Sequence, residues 1–126
     1  MNNSLAYNTY AQNDIGIESP QKLIEMLYEG ILRFNMQAKR AITNEDIEKR
    51  THWINRSIAI FSELLNTLDM NTGGDISQYL QGLYTFQLQT LSQANSENSI
   101  VKIDQVNKVI KGLLEAWRES TQVEMG

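Results

Sequence analysis

The side chain with the most obvious chemical reach is His52, the single histidine of the chain. It stands in "HWINRS", and an imidazole on a helix can ligate a metal, move a proton or carry a phosphoryl group. Each of these needs company. A di-metal carboxylate centre in a helical bundle requires Glu-x-x-His on two helices, but the residue three before His52 is Lys49. A phosphotransfer histidine is usually followed three positions later by lysine, with glycines nearby for access; here that position is Asn55 and no glycine is close. Cysteine is absent altogether, so there is no thiol nucleophile, thiolate metal site or disulfide framework. No glycine-rich phosphate loop is present. Without a second histidine or any cysteine, acid–base and nucleophilic arrangements lack their usual members. The sequence therefore reads as a non-enzyme with no catalytic, metal or cofactor-binding residues, and His52 as a partly exposed helix residue beside Trp53.

What remains is recognition chemistry, and it is carried by aromatic rings. Tyr7 and Tyr10 lie three apart in the leader "AYNTYAQND", a spacing that puts both on one face of a helical turn. Tyr79, Tyr84 and Phe86, with Leu83 between them, lie in "ISQYLQGLYTFQLQTLSQANS", a run between Asp75 and Glu97 with no charged side chain. Gln78, Gln81, Gln87, Gln89 and Gln93 interrupt that run, and leaving so many amides unpaired in lipid would be too costly for a membrane span. Two readings of it stand side by side. One is a central helix packed on two sides. The other is a groove with one side open, in which glutamines hydrogen-bond a peptide without burying charge and aromatic rings anchor it.

Helices must position these rings, and their limits are legible. "ESPQK" offers Ser19 as N-cap and Pro20 at the first helical position. From there Leu23, Leu27, Ile31, Phe34, Ala38 and Ala41 recur at helical spacing, with Ile24, Tyr28 and Leu32 as a second stripe beside them. Tyr28 and Leu32 join the candidate partner-binding set. "TNED" (43–46) interrupts the pattern, and Ile47, Thr51, Ile54, Ile58, Phe61, Leu65 and Leu68 then form a heptad seam. "MNTGGD" (70–75) predicts a stop at Gly73 and Gly74 and a new cap at Asp75. The uncharged helix spans roughly 76–94, "NSENS" (95–99) connects, and Ile100, Ile103, Val106, Ile110, Leu113 and Trp117 mark the last helix. Short connections imply antiparallel neighbours. The predicted fold is all-α, an antiparallel up-and-down four-helix bundle with a short N-terminal helical cap.

Composition agrees with this. A chain of 126 residues, 41% hydrophobic and 21% charged, suits one soluble domain, read as a leader at 1–18, a bundle at 19–120 and a tail at 121–126. A net charge of −4 without a basic run argues against nucleic-acid binding. The opening "MNNSLAYNTY" has neither a basic region nor an apolar core, so no signal peptide is expected.

Several motifs, in order, resemble the flagellar export chaperones of the FliS type. They are the leader "AYNTY", the segment "SPQKLIEMLYEGILRF" with its Ser-Pro, Leu-Ile and Leu-Tyr-Glu-Gly, and "LNTLDMNTGGDISQYLQGLY" with Leu-Asp, Gly-Gly and Leu-x-x-Leu-Tyr. The resemblance runs over nearly the whole chain, to about Trp117. It implies a cytoplasmic, ATP-independent chaperone that holds the disordered C-terminal segment of flagellin, blocks premature filament assembly and delivers the subunit to the export gate of the type III apparatus. A co-chaperone or regulatory protein is a further candidate partner. The resemblance also implies that the leader lies over part of the flagellin surface, where Tyr7 and Tyr10 would act as a displaceable lid; the alternative is that both rings are permanent core. The competing reading of the whole chain is a helical scaffold or oligomerisation module without a client, which the heptads of the second helix fit equally well.

Overall fold

The structure is a computed structural model that describes residues 19–125. The helices are α1 (Pro20–Thr43), α2 (Ile47–Asn66), α3 (Gly74–Glu97) and α4 (Ile100–Met125). Each packs on its chain neighbours, and α4 closes the ring on α1, which leaves α1 diagonal to α3 and α2 diagonal to α4. This is the all-α up-and-down bundle that the spacing predicts; the leader and its expected helical cap lie outside the described residues. The helix assigned to α4 runs through Met125, into the stretch read as a tail.

Local chemistry sets most boundaries as expected. Ser19 caps α1, its Oγ accepting from the Lys22 amide at 3.2 Å. The turn into α2 is tight: the Asp46 amide donates to the Ala41 carbonyl at 2.8 Å while Glu45 takes a left-handed φ of 56°. Asp46 then caps α2 by accepting from the Lys49 amide at 3.0 Å. At the same end of the bundle Asn98 terminates α3 with φ 57°, and Ser99 Oγ accepts from the Lys102 amide at 3.1 Å to start α4. Asparagine tolerates that conformation because its short polar side chain hydrogen-bonds locally.

The α2–α3 connection differs from the sequence reading. Helix α2 stops at Asn66, and Leu68 lies beyond it. Asp69, rather than Asp75, organises the turn: its carboxylate accepts from the amides of Asn71 and Thr72, each at 3.0 Å, and from the Thr72 hydroxyl. Those bonds stabilise the ionised form and hold the Asp69 carboxyl below its ordinary pKa. Gly73 takes the N-cap position of α3 without a side-chain cap, and Gly74 supplies the positive φ of 59°. Asp75 sits inside the first turn, where it complements the helix dipole.

The α1 seam is buried as predicted from Leu23 to Ala41, apart from a half-buried Phe34. In α2 the seam is rotated. Ile47 is 65% exposed, and the fully enclosed positions are Ile54, Ser57, Phe61 and Leu64. Helix α4 contributes Ile103, Val106, Ile110 and Leu114. The interior is also more polar than the spacing suggested. Asn35 is fully buried and donates through Nδ2 to Asn107 Oδ1 at 2.8 Å. Its own Oδ1 and the Ser57 hydroxyl have no hydrogen-bond partner among the described residues. Such groups reduce stability in exchange for a defined pairing of helices.

Two glycines give a test of these boundaries. A Cβ on Gly73 would overlap Ser77 Oγ and the Asp69 carbonyl oxygen, whereas one on Gly112 meets open space. Urea denaturation should show Gly73→Ala losing about 1–3 kcal/mol to overpacking and Gly112→Ala gaining about 0.5–1 kcal/mol from helix propensity. Equal effects of the two changes would contradict the turn geometry.

Candidate functional site

Helix α3 is where the sequence placed the anchors, and it mixes polar and apolar residues on both of its faces. The positions that face the core include Ser77, Tyr84, Gln87, Thr90, Leu91 and Ala94, so half of the buried set is polar. The outer face carries Ile76, Tyr79 and Phe86 at 71%, 66% and 63% exposure, with Leu83 half-buried between them. Their spacing of three, four and three keeps them in one stripe, which at 1.5 Å per residue extends about 15 Å along the helix. A solvent-facing helix usually shows the reverse arrangement. Exposed apolar side chains aligned in this way make the stripe a candidate interaction surface.

Tyr84 does not belong to that stripe. It was expected on the open face, but it is 2% exposed, and Tyr28 is 3% exposed. Their hydroxyl oxygens lie 2.6 Å apart across the diagonal of the bundle. The reason is geometric: one residue along a helix turns the side chain by about 100°, so Tyr84 points inward where Leu83 points obliquely outward. A buried phenol needs a hydrogen-bond partner, and each tyrosine supplies the other's. Phe61 packs beside them, its ring centroid 6.3 Å from that of Tyr84. Burial pushes both hydroxyls above the ordinary tyrosine pKa; for Tyr84 the neighbouring Tyr28 adds to the rise, while for Tyr28 the hydrogen bond to Tyr84 works against it.

Leu32 lies on a different surface. It lines a groove of about 350 Å³ between α1 and α4, together with Met36, Lys39, Asp104, Asn107, Lys108 and Lys111. Met36 is 54% exposed there. An ion pair between Lys39 Nζ and Asp104 Oδ1 at 2.6 Å bridges the groove, and Arg118 ties the far end of α4 to Glu25 and Glu29 of α1 at 3.2 and 2.5 Å. Because α1 and α3 are diagonal, the groove and the α3 stripe face different sides of the molecule. The structure thus joins Tyr79, Leu83 and Phe86, joins Tyr28 and Tyr84 elsewhere, and leaves Leu32 apart from both groups. Tyr7 and Tyr10 lie outside the described residues. Sequence reasoning missed Ile76 and Met36. The first continues the 79–83–86 spacing backward, and the second follows Leu32 by one turn; both signals were present.

His52 is exposed on α2 with its ring edge-on to Trp53, centroids 4.8 Å apart. The same outer face holds Phe34 against Trp53 at 5.4 Å, with the Arg56 guanidinium 4.7 Å above the Phe34 ring. Among the described residues no three carboxylate, imidazole or thiol groups gather as a metal site would require. None of the described helices is long and apolar enough to cross a membrane.

Comparison with known proteins bears on this surface. The family model described as "Flagellar protein FliS" matches residues 1–124. The chain is 63% identical to the flagellar secretion chaperone FliS of Campylobacter jejuni, over 94% of this chain and 93% of the relative. Similarity to the flagellar secretion chaperone FliS of Bacillus subtilis is 30% identity over 94% of this chain and 87% of the relative. With the corresponding Salmonella typhimurium protein it is 30% over 80% and 76%.

The buried tyrosine pair predicts an alkaline limit to stability. Unfolded tyrosines ionise near pH ~10, whereas in the folded state both hydroxyls hold their protons to higher pH. Their contribution is therefore complete below that value and is lost as pH rises through the folded pKa. Urea midpoints followed by circular dichroism should fall above pH ~10, and fall less steeply for Tyr28→Phe/Tyr84→Phe. Parallel curves for the two proteins would refute the assignment.

Proposed function

The chain belongs to the flagellar protein FliS family, a family of export chaperones and not of enzymes, and from that premise we propose that it binds the disordered C-terminal segment of flagellin. In this reading it acts in the bacterial cytosol, prevents premature filament assembly and hands the subunit to the gate of the flagellar export apparatus. The observation that carries the proposal is the exposed apolar stripe of α3, with Ile76, Tyr79 and Phe86 outside while Ser77, Gln87 and Thr90 share the inner face with Tyr84, Leu91 and Ala94. An apolar helix of the client laid along that stripe gains burial that the free chaperone leaves unused. Tyrosine and phenylalanine at its centre are residues of the type that dominate interface energies.

The second surface supports a client that wraps. The α1–α4 groove, floored by Leu32 and Met36, includes no residue of α3, so a single occupant of both must be extended or hinged between them. A disordered segment can do this, and it needs a large contact because ordering it consumes part of the binding energy. Release needs no nucleotide in this scheme; displacement by the export machinery suffices. Tyr7 and Tyr10 enter the proposal on sequence alone, as rings that compete with the client for apolar surface.

Titration of a flagellin C-terminal peptide tests the assignment. Tyr79→Ala/Phe86→Ala should keep full helicity and weaken binding by tenfold or more, since two anchors of about 1 kcal/mol or more each are removed. His52→Ala should stay within about twofold, as surface changes away from an interface usually do. Wild-type protein that fails to bind the peptide would leave the scaffold reading in its place.

A further inference from the structure

Helix α3 carries two apolar seams, and something must choose between them. The seam in use faces inward through Ser77, Leu80, Tyr84, Gln87, Leu91 and Ala94, with Leu80 half-buried against the core. The other, one residue back, is Ile76, Tyr79, Leu83 and Phe86, and a turn of about 100° about the helix axis would exchange them. Over the N-terminal half of the helix the unused seam is the more apolar. Burial of Ile76 and Phe86 in place of Ser77 and Gln87 would favour the rotated state by apolar area alone.

The C-terminal half is fixed by several contacts. Leu91 and Ala94 are fully buried. Asn95 Oδ1 accepts from Arg50 Nε at 2.8 Å and from Thr51 Oγ1 at 3.2 Å, and Arg50 Nη1 donates to Asn98 Oδ1 at 3.0 Å. The N-terminal half begins at two glycines with no side-chain cap. Among the described residues, its one side-chain hydrogen bond to another helix is Tyr84 to Tyr28, at 2.6 Å.

We propose that the Tyr28–Tyr84 hydroxyl pair is a rotational latch, a pair of positioning residues that holds the N-terminal half of α3 with its client-binding stripe turned to solvent. A hydroxyl forced out of this pairing inside the bundle loses the one partner it has among the described residues, which penalises rotation away from the observed setting. The polar inner positions, Ser77 and Gln87, follow from the same arrangement: the latch lets the helix spend its apolar residues on the outer face. The link to client binding rests on the proposed function; the latch itself does not.

The cysteine-free chain allows a direct test. Ser77→Cys places a near-isosteric thiol at a position 7% exposed, and Ser57→Cys places one at a fully buried position on α2 as a control for global opening. Each is introduced into the otherwise unchanged protein and into Tyr28→Phe/Tyr84→Phe, where neither hydroxyl is left without a partner and the fold is retained. Thiol labelling at position 77 should accelerate tenfold or more in the double Phe background, with labelling at 57 unchanged and amide protection of residues 76–86 retained. Unchanged labelling at 77 would overturn the latch, because packing alone would then set the rotation. Faster labelling with lost amide protection would also overturn it, since that is fraying and not rotation. If labelling shifts as expected, the affinity of the double Phe variant without added cysteine for a flagellin C-terminal peptide should fall at least threefold. Unchanged affinity would leave the latch standing and refute the outer stripe as the client surface.

Discussion

A hydrogen bond of 2.6 Å between two phenols, Tyr28 on α1 and Tyr84 on α3, joins the diagonal corners of a bundle whose other contacts run around its rim. Diagonal helices are normally held apart by the core between them, and here large aromatic side chains reach across it. Phe61 of α2 packs beside Tyr84, so three helices meet in one aromatic layer. In the proposed latch this layer holds the setting of α3, and with it the residues left for a partner. The outward display of Ile76, Tyr79 and Phe86 is the other side of the same geometric fact.

A chaperone that works by contact alone faces conflicting requirements. It must show enough apolar surface to hold an unfolded segment, yet stay soluble and folded without it. Several features meet both demands. The exposed stripe is bordered by Gln78, Gln81, Thr85 and Gln89, which stay hydrated when the surface is free and carry groups able to hydrogen-bond a peptide without burying charge. The interior takes the polar residues that the stripe displaces, and Asn35 and Asn107 pair within it. Exposed ion pairs such as Lys39–Asp104 and Arg118–Glu29 add little stability individually. Their placement along α1 and α4 still fixes the lips of the second groove.

The interior polarity is costly, since Asn35 Oδ1 and Ser57 Oγ are buried without partners among the described residues. A purely apolar core would be more stable but less selective about how its helices pair.

The sequence by itself determined the order of the four described helices and most of their ends, because these rest on local chemistry. Ser19, Pro20, Asp46 and Ser99 act on backbone groups within one turn of themselves, and the apolar period of α1 needs no knowledge of its neighbours. Order and spacing of the motifs carried the family resemblance for the same reason. Where several local solutions compete, the sequence was silent or misleading. Asp75 and Asp69 were both eligible to organise the α2–α3 turn, and only the path of the chain after Asn66 selected Asp69. The α2 seam keeps Ile54 and Phe61 but moves from Ile58 and Leu65 to Ser57 and Leu64, because its rotation is set by α1 and α3 together. Tyr84 and Phe86 look alike in a list of aromatic residues on an uncharged helix, two positions apart. A partner hydroxyl 56 residues away in the chain, on Tyr28, draws one into the core and leaves the other in water, and no local pattern encodes that choice.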